Sequence, residues 1–299
     1  MDLLGNGSGF VRVSPPDPSD NDVYISAAQV RRCELVSGDV VAGPVRPPRR
    51  SERYPSLVRV DTINGAPADQ VAAGTRYDDL PAAFPDQRFA LGSEDLTVRA
   101  IEWLTPFGRG SRVTIVGVER SGKTEALLRL VGPLAAGAEG EDGYELSVVL
   151  AGVRPEEIGA WRAGPVAPSA AVSFAASPDS QAQAVEGAIE QARRRAARGA
   201  HVVLLIDTLD ALSPGAARRA LGAARRIVDG GSLTIVATAR TPVGGETTVI
   251  ALDEKLAGAR RYPALDLRAS GVLRPELLVG EAGAEAIATA RAEVAGAAG

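Results

Sequence analysis

The chain changes its hydrophobic rhythm once, near residue 93. Before that point apolar and polar residues alternate in short runs, GFVRV at 9–13, DVYIS at 22–26, DVVAG at 39–43 and SLVRVDTI at 56–63, separated by Gly, Pro, Asp and Ser clusters. Period-two runs of this length bounded by turn residues predict short strands and a small barrel over 1–63. Residues 64–92 lose the alternation and gather Pro, Ala, Gly and Asp, the composition of a linker. From 93 to 299 continuous apolar runs alternate with helical stretches. RVTIVG, ELSVVLA, AAVSFA, HVVLLID and SLTIVATA read as buried strands, with helices over KTEALLRLV, RPEEIGAW, about 179–198 and about 214–228. That alternation predicts an α/β domain with a mostly parallel sheet covered on both faces. Ser177-Pro178 and Ser213-Pro214 each set a capping Ser before a Pro at the first helical position, and Gly199 ends the longer helix. The Ala-rich tail from about 281 reads as a weak helix or a frayed end.

Composition narrows the chemistry. One cysteine, Cys33, excludes an internal disulfide, and with a single histidine, His201, there is no Cys/His set for a structural zinc. No run approaches the ~20 apolar residues needed to span a bilayer and no apolar stretch follows a basic start, so a cytoplasmic protein without membrane association is expected. The formal net charge of -4 argues against nucleic acid, but seven arginines against three acids between Gln29 and Val60 make the first domain locally basic. The chain has only two lysines, Lys123 and Lys255, among its 33 basic residues.

One of those lysines falls in a motif. Gly117-Val118-Glu119-Arg120-Ser121-Gly122-Lys123-Thr124 fits G-x-x-x-x-G-K-[ST] in full, between a predicted strand and a predicted helix. Glycines in such a loop let successive backbone N–H groups surround phosphate oxygens, and the helix N-terminus adds partial positive charge. Lys123 would reach the outer phosphates of ATP and the Thr124 hydroxyl would coordinate Mg²⁺; Glu125 opens the helix beside them. The second acid such a site needs stands at the end of HVVLLID, as Asp207. Alone, an acid after a hydrophobic strand is equally a capping residue.

Several ordered stretches together resemble the transcription termination factor Rho family. In the first domain DNDVYISAAQVRRCELVSGDVVAGPVRPPRRSERYPSLVRVDTING is similar to that family's cold-shock-like, OB-type RNA-binding barrel. In the second, SEDLTVRAIEWLTPFGRGSR before the phosphate loop, RPEE at 154–157, GAARRIVDGGSLTIVATA at 222–239 and RRYPALDLRASG before PELL continue the likeness. The resemblance implies a RecA-type P-loop ATP-binding domain. It puts Phe10, Tyr24 and Tyr54 where the family stacks bases and Arg12, Asp22 and Glu52 where base edges are read, with Arg53 as a further RNA-binding residue and pyrimidine-rich single-stranded RNA as ligand. Composition alone reads the same aromatics as barrel core. The resemblance also sets Tyr262 against the adenine ring, where the alternative is a buried sheet-edge tyrosine. The implied activity is RNA-dependent ATP hydrolysis with translocation in transcription termination. The implied partners are RNA polymerase and a ring of identical subunits or of subunits shared with a full-length Rho.

The sequence also departs from that family. Val153 stands where the water-activating glutamate directly precedes RPEE, Leu273 aligns with the arginine finger with Arg274 one place on, and Ala211 replaces an arginine after the second acid. Ser8 replaces a further aromatic of the barrel. The segment between Asp207 and Gly222 and the region Arg240–Gly258 are shorter than the family's pore loops. Glu156 and Glu157 could replace the missing base, but as acids in a first helical turn they are also what the helix dipole favours. A paralogue that binds RNA and nucleotide without hydrolysis is therefore the competing expectation.

Overall fold

The structure is a computed structural model describing residues 1–13, 18–74, 76–140 and 143–296. The chain divides into two compact units, Met1–Leu80 with Arg193–Arg198, and Pro81–Ala192 with Gly199–Gly299.

The first unit is an OB-like barrel of two small sheets. β1 (Asp2–Leu3), β2 (Gly9–Val11), β3 (Val23–Ile25), α1 (Ala27–Arg32), β4 (Val41–Ala42), β5 (Val45–Arg46), β6 (Ser56–Leu57), β7 (Thr62–Ile63), β8 (Ala66–Pro67) and α2 (Ala68–Gly74) follow in order. One sheet runs β1-β2-β3-β6-β5 and the other β4-β7-β8. The predicted single strand over 56–63 is divided between the two sheets. Leu57 pairs with Val45 and Ile63 with Val41, while between them Val58 N–H donates to Pro44 O and Asp61 N–H to Ala42 O. Gly43 sits at this corner, where a Cβ would lie 2.0 Å from the Arg59 carbonyl oxygen. Only glycine lets the two backbones cross that closely.

Two helices of this unit differ from the expected run of strands and linker. α1 begins in a capping box, with the Ser26 side chain accepting from Gln29 N–H and the Gln29 side chain accepting from Ser26 N–H. β8 and α2 lie in the stretch whose composition reads as linker, and Ala68 and Val71 pack on a core of Ile25, Val30, Leu35, Leu57 and Ile63. A helix of seven residues is too short to show a period in sequence.

The second unit opens with β9 (Ala82–Ala83), α3 (Leu96–Leu104), β10 (Arg112–Val116), α4 (Lys123–Ala138), β11 (Glu145–Val153), α5 (Pro155–Arg162), β12 (Ala170–Ser173) and α6 (Pro178–Ala197). It continues with β13 (His201–Asp207), α7 (Pro214–Gly222), β14 (Arg225–Ile227), β15 (Ser232–Ala239), β16 (Thr248–Ala251), α8 (Glu254–Gly258), β17 (Gly271–Val272) and α9 (Glu276–Gly296). The sheet order is β12-β11-β13-β15-β10-β16-β17, parallel from β12 to β16. β17 runs antiparallel to β16, and β14 is an antiparallel branch joining β15 to β9.

Val113, Ile115, Val148, Leu150, Val203 and Leu205 pack with Leu127, Leu130, Leu134 and Trp161 on one face. The intervening Val202, Leu204 and Ile206 are as deeply buried, so both faces of β13 are covered. The helix expected to run to about 228 stops at Gly222. Arg225–Ile227 instead extends, because Arg225 and Arg226 pair with Leu233 and Ser232 across a turn through Asp229, whose φ is 51°. α9 carries the Ala-rich stretch as far as Gly296, after a break at Gly280 (φ 72°).

Leu127 is fully buried on α4, one turn beyond the phosphate loop. Leu127→Ala is expected to cost about 2–5 kcal/mol, the sum of lost transfer energy and a residual cavity. Urea unfolding followed by circular dichroism measures it, and a loss below about 1 kcal/mol would mean that the site collapses freely.

Candidate phosphate-binding and nucleic-acid sites

β10 delivers the chain into the loop Gly117–Gly122, and α4 begins at Lys123. Arg120 (φ 65°) and Gly122 (φ 91°) both take left-handed backbone, turning the loop back over its own start. A Cβ at Gly117 would stand 2.4 Å from Ser121 Oγ, so the loop closes only on glycine there. The Ser121 hydroxyl is buried without a hydrogen-bond partner, and Lys123 Nζ donates to the Gly117 carbonyl at 2.6 Å.

Asp207 ends β13, and β15 lies between that strand and β10. From β15 the Thr238 hydroxyl donates to Asp207 Oδ1 at 2.6 Å, while Oδ2 is buried and unpartnered. Burial pushes the Asp207 carboxyl up from its ordinary range; Thr238, the Thr124 hydroxyl and Lys123 oppose that, and the Glu157 charge adds to it. A buried carboxylate oxygen without a donor, beside a hydroxyl at a helix start, is a donor set suited to a hard divalent cation. Among the described residues no cluster of three or more His, Cys, Asp or Glu forms a metal site by itself.

The cavity around these groups, about 540 Å³, is also lined by Glu119, Glu125, Gly152, Val153, Arg154, Glu157, Trp161 and Asp210. Val153 is buried in the apolar core, so it offers the cavity no acceptor. Glu157 caps α5, accepting from Arg154 N–H at 3.0 Å and from the Arg154 guanidinium at 3.2 Å. Asp210 lies 3.8 Å from Lys123 Nζ. The sequence does not single out Asp210, because it lies three positions after Asp207 in a loop, where no period links the two.

Tyr262 is 51% exposed and precedes Pro263 through a cis peptide bond, so it is not a buried sheet-edge residue. The Arg129 guanidinium lies 5.9 Å from its ring centroid and is held by Asp95 and Glu125. Leu273 is exposed, and Arg274 is engaged with Glu276 and lies 5.5 Å from the Phe84 ring centroid.

In the barrel, register brings the predicted aromatics together. Phe10 pairs with Tyr24 across β2 and β3, and its ring meets Tyr24 and Tyr54 edge-on at centroid distances of 5.8 and 4.9 Å. None of the three belongs to the barrel core. Arg12 and Arg53 lie against Phe10 and Tyr54 at 5.8 and 5.3 Å. Arg12 also binds Asp2 and Asp22, each at 2.6 Å, and Arg53 binds Asp20 at 2.9 Å. Ser8, which stands where the resemblance expects a further aromatic, is buried, and its hydroxyl donates to Asn6 Oδ1 at 2.8 Å.

A concavity of about 650 Å³ is lined by Tyr24, Gln29, Arg32, Glu52, Arg53 and Tyr54 among others. Arg46 grips Glu52 with two hydrogen bonds of 2.6 and 2.8 Å, and Arg49 N–H adds a third. That grip lowers the Glu52 carboxyl to about 2. Asp22 is lowered to about 2 as well, first by Ser19 N–H and then by Arg12. Gln29, which the sequence marks as a capping residue and not as a ligand, donates to the carbonyls of Leu57 and Val58 at the edge of the same concavity.

This geometry defines a RecA-type P-loop domain of α/β class with an OB-like barrel before it. A solved structure described as a prototypical ATPase from the type III secretion system of pathogenic bacteria shares the fold, with a TM-score of 0.58 and 20% identity over 73% of this chain and 71% of that one. Residues 1–69 match the family model described as Rho termination factor, RNA-binding domain. Transcription termination factor Rho of Bacillus subtilis (strain 168) is 32% identical over 314 aligned positions, covering 93% of this chain and 73% of the relative. That of Thermotoga maritima is 30% identical, covering 94% and 74%. That of Mycobacterium tuberculosis (strain ATCC 25618 / H37Rv) is 33% identical over 93% of this chain, which spans only 53% of its length. The chain belongs to the transcription termination factor Rho family.

Because both carboxyls are depressed, the stability they confer is complete above their ordinary values of 3.8 and 4.5 and is lost as pH falls toward about 2. Asp22→Asn is expected to lower stability at neutral pH, with the gap to wild type narrowing between pH about 4 and about 2. Urea melts at stepped pH check this; a gap that stays constant to the lowest pH would show that the Asp22 charge contributes nothing.

Proposed function

We propose that this chain is an RNA-binding, ATP-binding member of its family that couples ATP hydrolysis to movement on single-stranded, pyrimidine-rich RNA in transcription termination. The observation that carries the nucleotide half is the closed glycine loop with Lys123 at its exit and the unpartnered Asp207 Oδ2 beside Thr124. Gly117 to Thr124 would hold the phosphates through backbone N–H groups, and Tyr262 would stack on the base, with Glu125 nearby. Thr124, and Asp207 through water, would hold Mg²⁺, which bridges and neutralises phosphate oxygens when bound. For RNA, the cluster of exposed Tyr24 with half-buried Phe10 and Tyr54 offers rings outside the core, with stacking worth ~1–3 kcal/mol per base. Arg12, Glu52 and Arg53 would be the donors and acceptors beside them, while Asp22, buried and bonded to Arg12, Val13 and Ser19, holds Arg12 in place. Glu52 remains a carboxylate far below neutral pH, so it is a constant acceptor for a base amino group. A ring of subunits, its own or shared with a full-length relative, and contact with RNA polymerase complete this reading.

A second reading, binding of RNA and nucleotide without turnover, is favoured by one observation: Val153 is buried in the core where the family has its water-activating acid. RNA-stimulated phosphate release separates the two. Wild type is expected to release phosphate with an oligocytidine activator and Lys123→Ala to release none; equal rates would sink the enzymatic reading.

Tyr54→Ala is expected to weaken oligocytidine binding by roughly 5- to 150-fold, the equivalent of one stacked base. Fluorescence anisotropy measures it, and unchanged affinity would remove the aromatic cluster from the RNA site.

A further inference from the structure

Besides Glu119 of the loop and Glu125 of α4, three carboxylates line the phosphate cavity: Asp207, Glu157 and Asp210. Asp207 is sealed in the sheet, with one oxygen on Thr238. Glu157 spends both oxygens on Arg154. Asp210 is arranged differently. Its Oδ1 accepts from the Arg240 N–H at 2.7 Å, which fixes the side chain, while Oδ2 faces Lys123 Nζ at 3.8 Å, beyond hydrogen-bond reach. The side chain is 42% exposed, so the carboxylate as a whole is open to water.

We propose that Asp210 is the catalytic carboxylate that takes the proton of the attacking water, the task for which Val153 has no acceptor. The assignment rests on the reading of the cavity as a nucleoside triphosphate site. A terminal phosphate drawn to Lys123 arrives beside Oδ2, and the Arg240 N–H prevents the carboxylate from turning away. Two anions so placed are held apart by a water that donates to Oδ2 and turns its lone pair toward phosphorus. The water oxygen then bonds to the terminal phosphorus, and the bond from that phosphorus to the bridging oxygen breaks, its electron pair leaving with the diphosphate. The water proton passes to Asp210 Oδ2 and from there to solvent.

Asp210→Asn keeps an Oδ1 acceptor for Arg240 N–H while removing the base. In full-length protein with Mg-ATP and an oligocytidine activator, phosphate release is expected to fall about 10²- to 10⁴-fold, the usual contribution of a positioned general base. Binding of a fluorescent ATP analogue should stay at wild-type affinity, and Asp210→Glu should recover part of the rate. A rate in Asp210→Asn close to wild type, with or without tighter nucleotide binding, overturns the assignment and leaves Asp210 as a counter-ion of Lys123. Collapse of turnover in Glu157→Gln with Asp210→Asn active overturns it in favour of Glu157. Wild type that binds the analogue but releases no more phosphate than Lys123→Ala overturns it while the nucleotide site stands. Wild type that fails to bind the analogue brings down the underlying reading itself.

Discussion

The hydrogen bond from Thr238 to Asp207 ties together everything at the C-terminal edge of the parallel sheet. Inserting β15 between β13 and β10 separates the acid from the loop strand by one strand's width, and the hydroxyl on that intervening strand fixes where the acid points. One carboxylate oxygen is thereby satisfied and the other left facing the cavity. A buried carboxylate with an unpaired oxygen is costly, and the rise in its pKa records that cost. Lys123 and the start of α4 supply the compensating positive potential. The sheet order, the loop and the acid are thus one electrostatic arrangement, tolerable to the fold because a cation or water can complete it.

Much of this was legible in the sequence because the signals were local. The phosphate loop occupies eight consecutive residues, and continuous apolar runs marked five of the strands. Ser-Pro pairs gave the helix starts at Pro178 and Pro214. What escaped was set by distance or by brevity. The sequence pattern puts Arg225–Ile227 at the end of a helix, because the segment is a strand only through its partners on β15 and β9. α1 carries a readable signal, Ser26 and Gln29 at capping-box spacing, but its six residues hide inside a barrel of short strands.

The sites divide in the same way. Lys123, Thr124 and Asp207 could be named because the motif fixes their spacing. Asp210 could not, since it reaches Lys123 only when the end of β13 lies beside the start of α4. The aromatics of the barrel were ambiguous by composition, where three rings in about 60 residues is no excess. Register decides between core and surface: pairing Phe10 with Tyr24 on one face leaves Ile25 on the other, and only Ile25 enters the core.

The arginines of the barrel reconcile a net charge of -4 with the proposed nucleic-acid ligand. Arg53 meets Asp20 in a largely exposed pair, while Arg12 and Arg46 are gripped by acids and contribute fixed geometry more than free positive charge. Affinity built on phosphate neutralisation needs cations free to displace counter-ions, and these are not. Affinity built on stacking needs rings held apart from the core with rigid polar groups beside them, which this face provides. The same pairing that cancels the charge orients Glu52 and Asp22 and keeps them ionised. On this reading the barrel reads bases at close range rather than drawing RNA from afar, and an acidic protein can do so without contradiction.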